Sequence, residues 1–186
     1  MTQLNDFSSL VLSERAAINI ELLSSWLLLG DVGRLDSAFC NTSCRIHLLE
    51  LISDKRVILN NPIGKLLPTT IEWIYKRVAR INHAWIMPEY FKENKSFSLE
   101  VFLKQTGYFL KNIYIRFTSD EHECIQIIIL LSKFCPYVVE LAVSSNHSLI
   151  DISALFNTYR NLISFDCGFI SEVSLAAMCT YCQKLE

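Results

Sequence analysis

The chain has 186 residues, 51% of them hydrophobic and 19% charged, and its net charge is −2. This balance excludes disorder, which needs low hydrophobicity and high charge, and argues against a nucleic-acid binder that works by neutralising phosphates. Five glycines and four prolines are too few for a turn-dense sandwich or a glycine-cradled phosphate site. The length fits one domain with a short appendage and supports a sizeable core.

The segment 1–13 is rich in Ser and Asn and reads as frayed. It lacks a basic stretch before an apolar one, so no secretory start is visible. The seven cysteines, Cys40, Cys44, Cys124, Cys135, Cys167, Cys179 and Cys182, are odd in number and scattered. Without export signals they are expected to stay reduced, in the cytoplasm or nucleus, and to pack as small apolar groups.

Residues 14–53 read as helical. Ile20, Leu22, Leu23, Trp26, Leu27 and Leu29 crowd one short helix, with Gly30 as a left-handed cap and Asp31 capping the next helix. Val32, Leu35, Ala38 and Phe39 keep helical spacing in that second helix. Asn41 and Thr42 offer a cap before a third, Cys44 to Ile52, with Leu48, Leu49 and Ile52 inward. Residues 54–100 read as one helix between loops. Asn60-Asn61-Pro62 and Leu67-Pro68 punctuate the first loop. Thr69 or Thr70 caps a helix through Ile71, Trp73, Ile74, Val78 and Ile81, and Pro88 and Asn94 break the pattern after it.

The third region repeats. Leu110-x-x-Ile113-x-Ile115, Val138-x-x-Leu141-x-Val143 and Leu162-x-x-Phe165-x-Cys167 share the pattern L-x-x-L-x-L. Leu185-Glu186 supplies the first two positions of a fourth copy, so the sequence reads as a fragment that stops within a repeat. The copies start at Leu110, Val138, Leu162 and Leu185, a near-constant spacing within the period of leucine-rich repeats. Between the strands, Ile127–Phe134, Ile152–Tyr159 and Val173–Tyr181 carry helix-spaced apolar residues. Cys135 and Cys182 occupy the same place in two copies. Asn146, nine positions into its copy, is placed to turn inward and bond the backbone. The most apolar stretch, Ile125–Leu131, contains Gln126 and is followed by Lys133, too short and interrupted for the roughly 20 residues of a membrane span.

No catalytic, cofactor-binding or metal-ligating set emerges. Cys179-x-x-Cys182 lacks the second pair that a zinc site needs, and Cys40-x-x-x-Cys44 has the spacing of one helical turn. His47, His83, His122 and His147 are isolated, and His122 sits in the polar run Ser119-Asp-Glu-His-Glu123, read as a solvated turn. No P-loop, nucleophile elbow or dinucleotide fingerprint occurs. Lys76, Arg77 and Arg80 make a basic helix face too small for nucleic acid.

The segment Ile20-Glu-Leu-Leu-Ser-Ser-Trp-Leu-Leu-Leu-Gly-Asp31-Val-Gly-Arg-Leu-Asp-Ser-Ala-Phe39-Cys40 resembles an F-box. Ala17-Ile18-Asn19 stands where that family usually opens with Leu-Pro, and Thr42-Ser43-Cys44-Arg45 where it usually has a Trp. Together with the cysteine-containing repeats, the chain resembles the F-box/leucine-rich-repeat family. The resemblance implies an α/β architecture: a flexible terminus over 1–17, a three-helix F-box-like unit over 18–53, a linking segment over 54–100 and a right-handed leucine-rich-repeat solenoid over 101–186. It implies a non-enzymatic substrate-recognition subunit of a ubiquitin ligase, with a Skp-family linker, a cullin scaffold and a protein substrate as partners; the near-neutral charge and the lack of an apolar span add the expectation of neither nucleic acid nor membrane. Ile20, Leu22, Leu23, Trp26, Leu27, Val32, Leu35 and Phe39 would serve the linker interface or the unit's own core. Asn112, Tyr114, Glu140, Ala142, Ser164 and Asp166, together with Lys111, Val139 and Ile163, would face the substrate from the concave side. The other reading is a leucine-rich-repeat scaffold without a ubiquitin role, its helical unit closing the end of the solenoid.

Overall fold

In the computed structural model of the chain, residues 20–39, 42–61, 66–92, 98–118, 120–145 and 150–186 are described, the side chains of 42–44 excepted. Cys40, Asn41, Asn146 and His147 lie outside the described residues. Among the described residues between 20 and 53, most are helical as their spacing predicts, but with different joints. Helix α1 (Leu22–Trp26) is wound as a π-helix and closes with the Leu27 N–H donating to the Leu22 carbonyl, 3.1 Å. Leu28 is extended and starts α2 (Leu29–Ala38). The joint therefore falls at Leu27-Leu28, and Gly30 lies inside the first turn of α2 instead of capping α1. The cause is tertiary: the Leu29 N–H donates to the Asn60 carbonyl at 2.9 Å, which pulls Leu28 out of the helix. Asp31 consequently sits three residues into α2, where its carboxylate accepts the Leu28 N–H at 3.4 Å, favourable at a helix N-terminus.

Three helices converge on one buried carboxylate. Asp36 of α2 is 3% exposed. It accepts hydrogen bonds from Arg45 Nε at 2.9 Å in α3 (Thr42–Ser53) and from Trp73 Nε1 at 2.9 Å and Arg77 Nε at 3.0 Å in α4 (Pro68–Arg77). Burial alone would raise its pKa; the three donors outweigh that and hold the carboxyl below its ordinary 3.8. Arg80 completes the tie. Its guanidinium donates to the Ser53 and Asp54 carbonyls at 3.0 and 2.8 Å, closing the C-terminus of α3.

Helix α4 opens with Pro68, whose fixed φ suits the first turn, so neither Thr69 nor Thr70 is its cap. It ends at Val78, which adopts the left-handed conformation at φ 52°, costly for a β-branched residue. The expected continuation to Ile81 fails for the same reason the first joint moved. The Leu59 N–H takes the Arg80 carbonyl at 2.7 Å, and Ile81 bridges Leu59 in parallel, so the chain leaves the helix to enter a sheet.

That sheet has four parallel strands in chain order: β1 (His83–Ile86), β2 (Asn112–Phe117), β3 (Glu140–Ser145) and β4 (Ser164–Cys167). Strand β1 lies inside the stretch set apart as a link. Among the described residues the strands are separated by α5 (Glu89–Lys92) and α6 (Leu99–Thr106), the latter running into a short 3-10 helix (Gly107–Phe109), then by α7 (Glu121–Phe134) and α8 (Ser153–Thr158), with α9 (Glu172–Tyr181) after β4. Glu121–Glu123 form the first turn of α7, where the sequence suggested a solvated turn; Asp120 caps it by accepting the Glu123 N–H at 3.2 Å.

Register ties the units together. His83 pairs with Asn112, Asn112 with Glu140 and Glu140 with Ser164. One residue before each strand, a single line of hydrogen bonds runs from the Lys111 N–H to the Asn82 carbonyl, from Val139 to Lys111, from Ile163 to Val139, each 2.8 Å, and from Glu186 to Ile163 at 3.0 Å. Glu186 thus continues the same ladder past β4. Ile81, Leu110, Val138 and Leu162 form one buried row; Ala84, Ile113 and Leu141 form the next. Burial fades at β4, where Phe165 and Cys167 are only half-buried. Three residues ahead of each copy stand Gly107, Cys135, Tyr159 and Cys182, all buried. A Cβ on Gly107 would lie 2.7 Å from the Phe134 carbonyl oxygen and 3.0 Å from Cys135 Sγ, so only glycine fits there. Cys182 is buried with its Sγ against the Tyr159 and Phe156 carbonyls, whereas Cys179 is exposed.

Candidate functional site

Alternation along the strands puts every second side chain on the face of the sheet away from the helices. Asn112, Tyr114, Glu140, Ala142, Ser164 and Asp166 all reach that face and line one open groove of roughly 200 Å³. His83, from β1, joins them. Two rows cross the strands here. His83, Asn112, Glu140 and Ser164 make the first; Trp85, Tyr114, Ala142 and Asp166 make the second.

Lys111, Val139 and Ile163, grouped with this face from the sequence, do not line the groove. They precede the strands and carry the backbone ladder, and the Lys111 ammonium lies 5.1 Å above the Tyr137 ring. The sequence reading missed His83 and Trp85. The signal was present in Ile81-x-x-Ala84-x-Ile86, one further period ahead of Leu110. Ala in the middle position and the helical spacing of Val78 and Ile81 concealed it.

The groove is held rigidly on one side. Trp85 meets Tyr114 edge-on with ring centroids 4.5 Å apart, a favoured aromatic arrangement. Asn112 Nδ2 donates to Glu140 Oε2 at 2.7 Å. Burial pushes the His83 pKa below its ordinary 6.5, and the Glu140 charge partly restores it.

A second surface lies on the helical unit. The eight apolar residues singled out there divide by exposure. Leu23 and Val32 are buried; Ile20, Leu27 and Leu35 are half-buried; Leu22, Trp26 and Phe39 are exposed, Trp26 at 76%. Leu28 adds to the exposed set. The first two belong to the chain's own core, so they cannot touch a partner without unfolding. Leu22, Trp26 and Phe39 are the part of the set fully open to contact.

No helix among the described residues is long and apolar enough to cross a membrane. No protein-family model, curated protein or solved structure matches the chain.

Proposed function

We propose that the chain is a protein-binding adaptor and not an enzyme. Its F-box-like helical unit docks a Skp-family linker of a cullin-based ubiquitin ligase. Its stacked strand–helix units act as a leucine-rich-repeat solenoid whose open face holds a protein substrate. The ubiquitin chemistry belongs to other subunits, and this chain contributes proximity. The observation that carries the reading is the division of the helical unit: Leu23, Leu29 and Val32 supply a core, while Leu22, Trp26 and Phe39 stay exposed beside it. Single exposed apolar residues are ordinary; large ones gathered on a short unit mark a contact surface.

Calorimetric titration of the full chain with a purified Skp-family linker tests this. Saturable binding is expected, and Trp26→Ala should weaken it at least about tenfold, roughly 1.4 kcal/mol, with the thermal midpoint unchanged. Absence of binding by the unmodified chain would remove the ubiquitin-ligase role.

A second reading has its own support. The Leu29 N–H bond to the Asn60 carbonyl and the Leu59–Ile81 bridge extend the pairing from the helical unit to the sheet. A scaffold closed at one end by its helical unit needs that continuity. In that case no linker binds, and removing residues up to 53 unfolds the rest.

A further inference from the structure

Resting on the reading of the open sheet face as a substrate surface, we infer that its groove receives a lysine or arginine side chain of the bound protein segment, seated over Ala142. The row containing Ala142 explains the seat. Tyr114 stands on one side and Asp166 on the other, so the short side chain between them leaves a slot. A groove of roughly 200 Å³ is smaller than the several hundred Å³ usual for a cofactor or drug-sized ligand but takes one long side chain.

The charges select the occupant. Glu140 and Asp166 are the groove's carboxylates, and among the described residues no ion pair engages either. Glu140 is turned by Asn112 through one oxygen, Oε2, and the other is not used by that bond. His83 is held toward its neutral form by burial, so it does not neutralise them at pH 7. The cations near the sheet are placed elsewhere. Lys111 lies over Tyr137, and Lys184 donates to Asn161 Oδ1 at 2.8 Å. Arg116 stands one row further along β2, outside the groove and two strands from Asp166.

An anionic side chain would meet two like charges here. An apolar one would strip water from two carboxylates without replacing it, at a high cost. A basic side chain does neither: its methylene stem lies on Ala142 and the Tyr114 ring, and its head reaches the carboxylates. The Tyr114 face, fixed by Trp85, adds a cation–π contribution.

The test is a titration of the full isotope-labelled chain with three short Ser/Tyr peptides differing only at a central pair: two lysines, two glutamates or two norleucines. The backbone amides of Tyr114, Ala142 and Asp166 report. The expected result is saturable shifts with the lysine peptide alone, weakened about tenfold by the double change Glu140→Gln and Asp166→Asn and weakened by added salt. Shifts of the same amides by the glutamate or norleucine peptide with equal affinity would overturn the basic preference while leaving the face as a binding surface. No shift with any peptide would overturn both.

Discussion

The helical unit over 20–53 and the strand–helix stack over 81–186 hold together by different means. In the stack, each unit repeats the same two devices: a rung of the backbone ladder and an apolar row shared with its neighbour. Among the described residues of the helical unit no device repeats. Its attachment to the remainder runs through the Asp36 carboxylate, the Arg80 guanidinium and the Leu29 N–H. A periodic core distributes its stability over many similar contacts. A polar hub concentrates it in a few, each costly to leave unpartnered. The two regions should therefore respond differently to injury.

The largest effect is expected from Phe156→Ala in the stack. Phe156 is fully buried and meets Phe165 edge-on at 5.0 Å. Losing it should cost about 3–5 kcal/mol in denaturant unfolding, and amides of β3 and β4 should lose exchange protection first. Equal loss across the helical unit would show the two regions unfold as one.

Asp36→Ala should cost about 3 kcal/mol, because it strands the donors of Arg45, Trp73 and Arg77. Here the loss should fall on α2, α3 and α4. Acid should mimic it: with its pKa lowered in the folded state, the ionised Asp36 contributes stability above pH 3.8 that is lost as pH falls through the folded value. In the alanine variant that acid-dependent component should disappear; its persistence would mean another carboxylate carries it.

Gly107→Ala should cost about 1–3 kcal/mol, since the new Cβ meets the backbone carbonyl of Phe134 at 2.7 Å. Gly33→Ala in α2, where nothing lies within 4 Å of the added Cβ, should be neutral or slightly stabilising. Thermal unfolding of the pair measures the contrast.

The smallest effect belongs to His83. Its folded pKa is depressed, so its contribution is present above pH 6.5 and fades as pH falls below that value. A shallow loss of stability as pH falls below 6.5, absent in His83→Gln, should precede the acid response of Asp36. Indistinguishable profiles for the two proteins would remove His83 from the balance.

The same contrast explains what could be read from the sequence. The strands at β2, β3 and β4 were legible because each copy writes its core into a fixed six-residue pattern, and the register then follows from spacing. The face residues came with it, since alternation assigns them once the strands are placed. Strand β1 was not legible: Ala84 weakens its pattern, and Val78 and Ile81 fit a helix until Leu59 claims the Arg80 carbonyl. The joint at Leu28 was hidden for the same reason, its partner Asn60 lying beyond the whole of α2 and α3 in the chain. The Asp36 hub drew on three helices, and no local pattern links Asp36 to Arg45, Trp73 and Arg77.

The ladder from Asn82 to Glu186 has a mechanical consequence. Its hydrogen bonds point along the direction in which the strands succeed one another, with the helical unit toward one end and Glu186 at the other. A pull between those ends loads the rungs in series and opens them one at a time, where a pull along the strands would shear several together. The half-buried β4 end should give way at the lowest force, and the units behind it should peel in order toward β1. A chain gripped at its helical unit and tugged at its far end would thus lengthen stepwise.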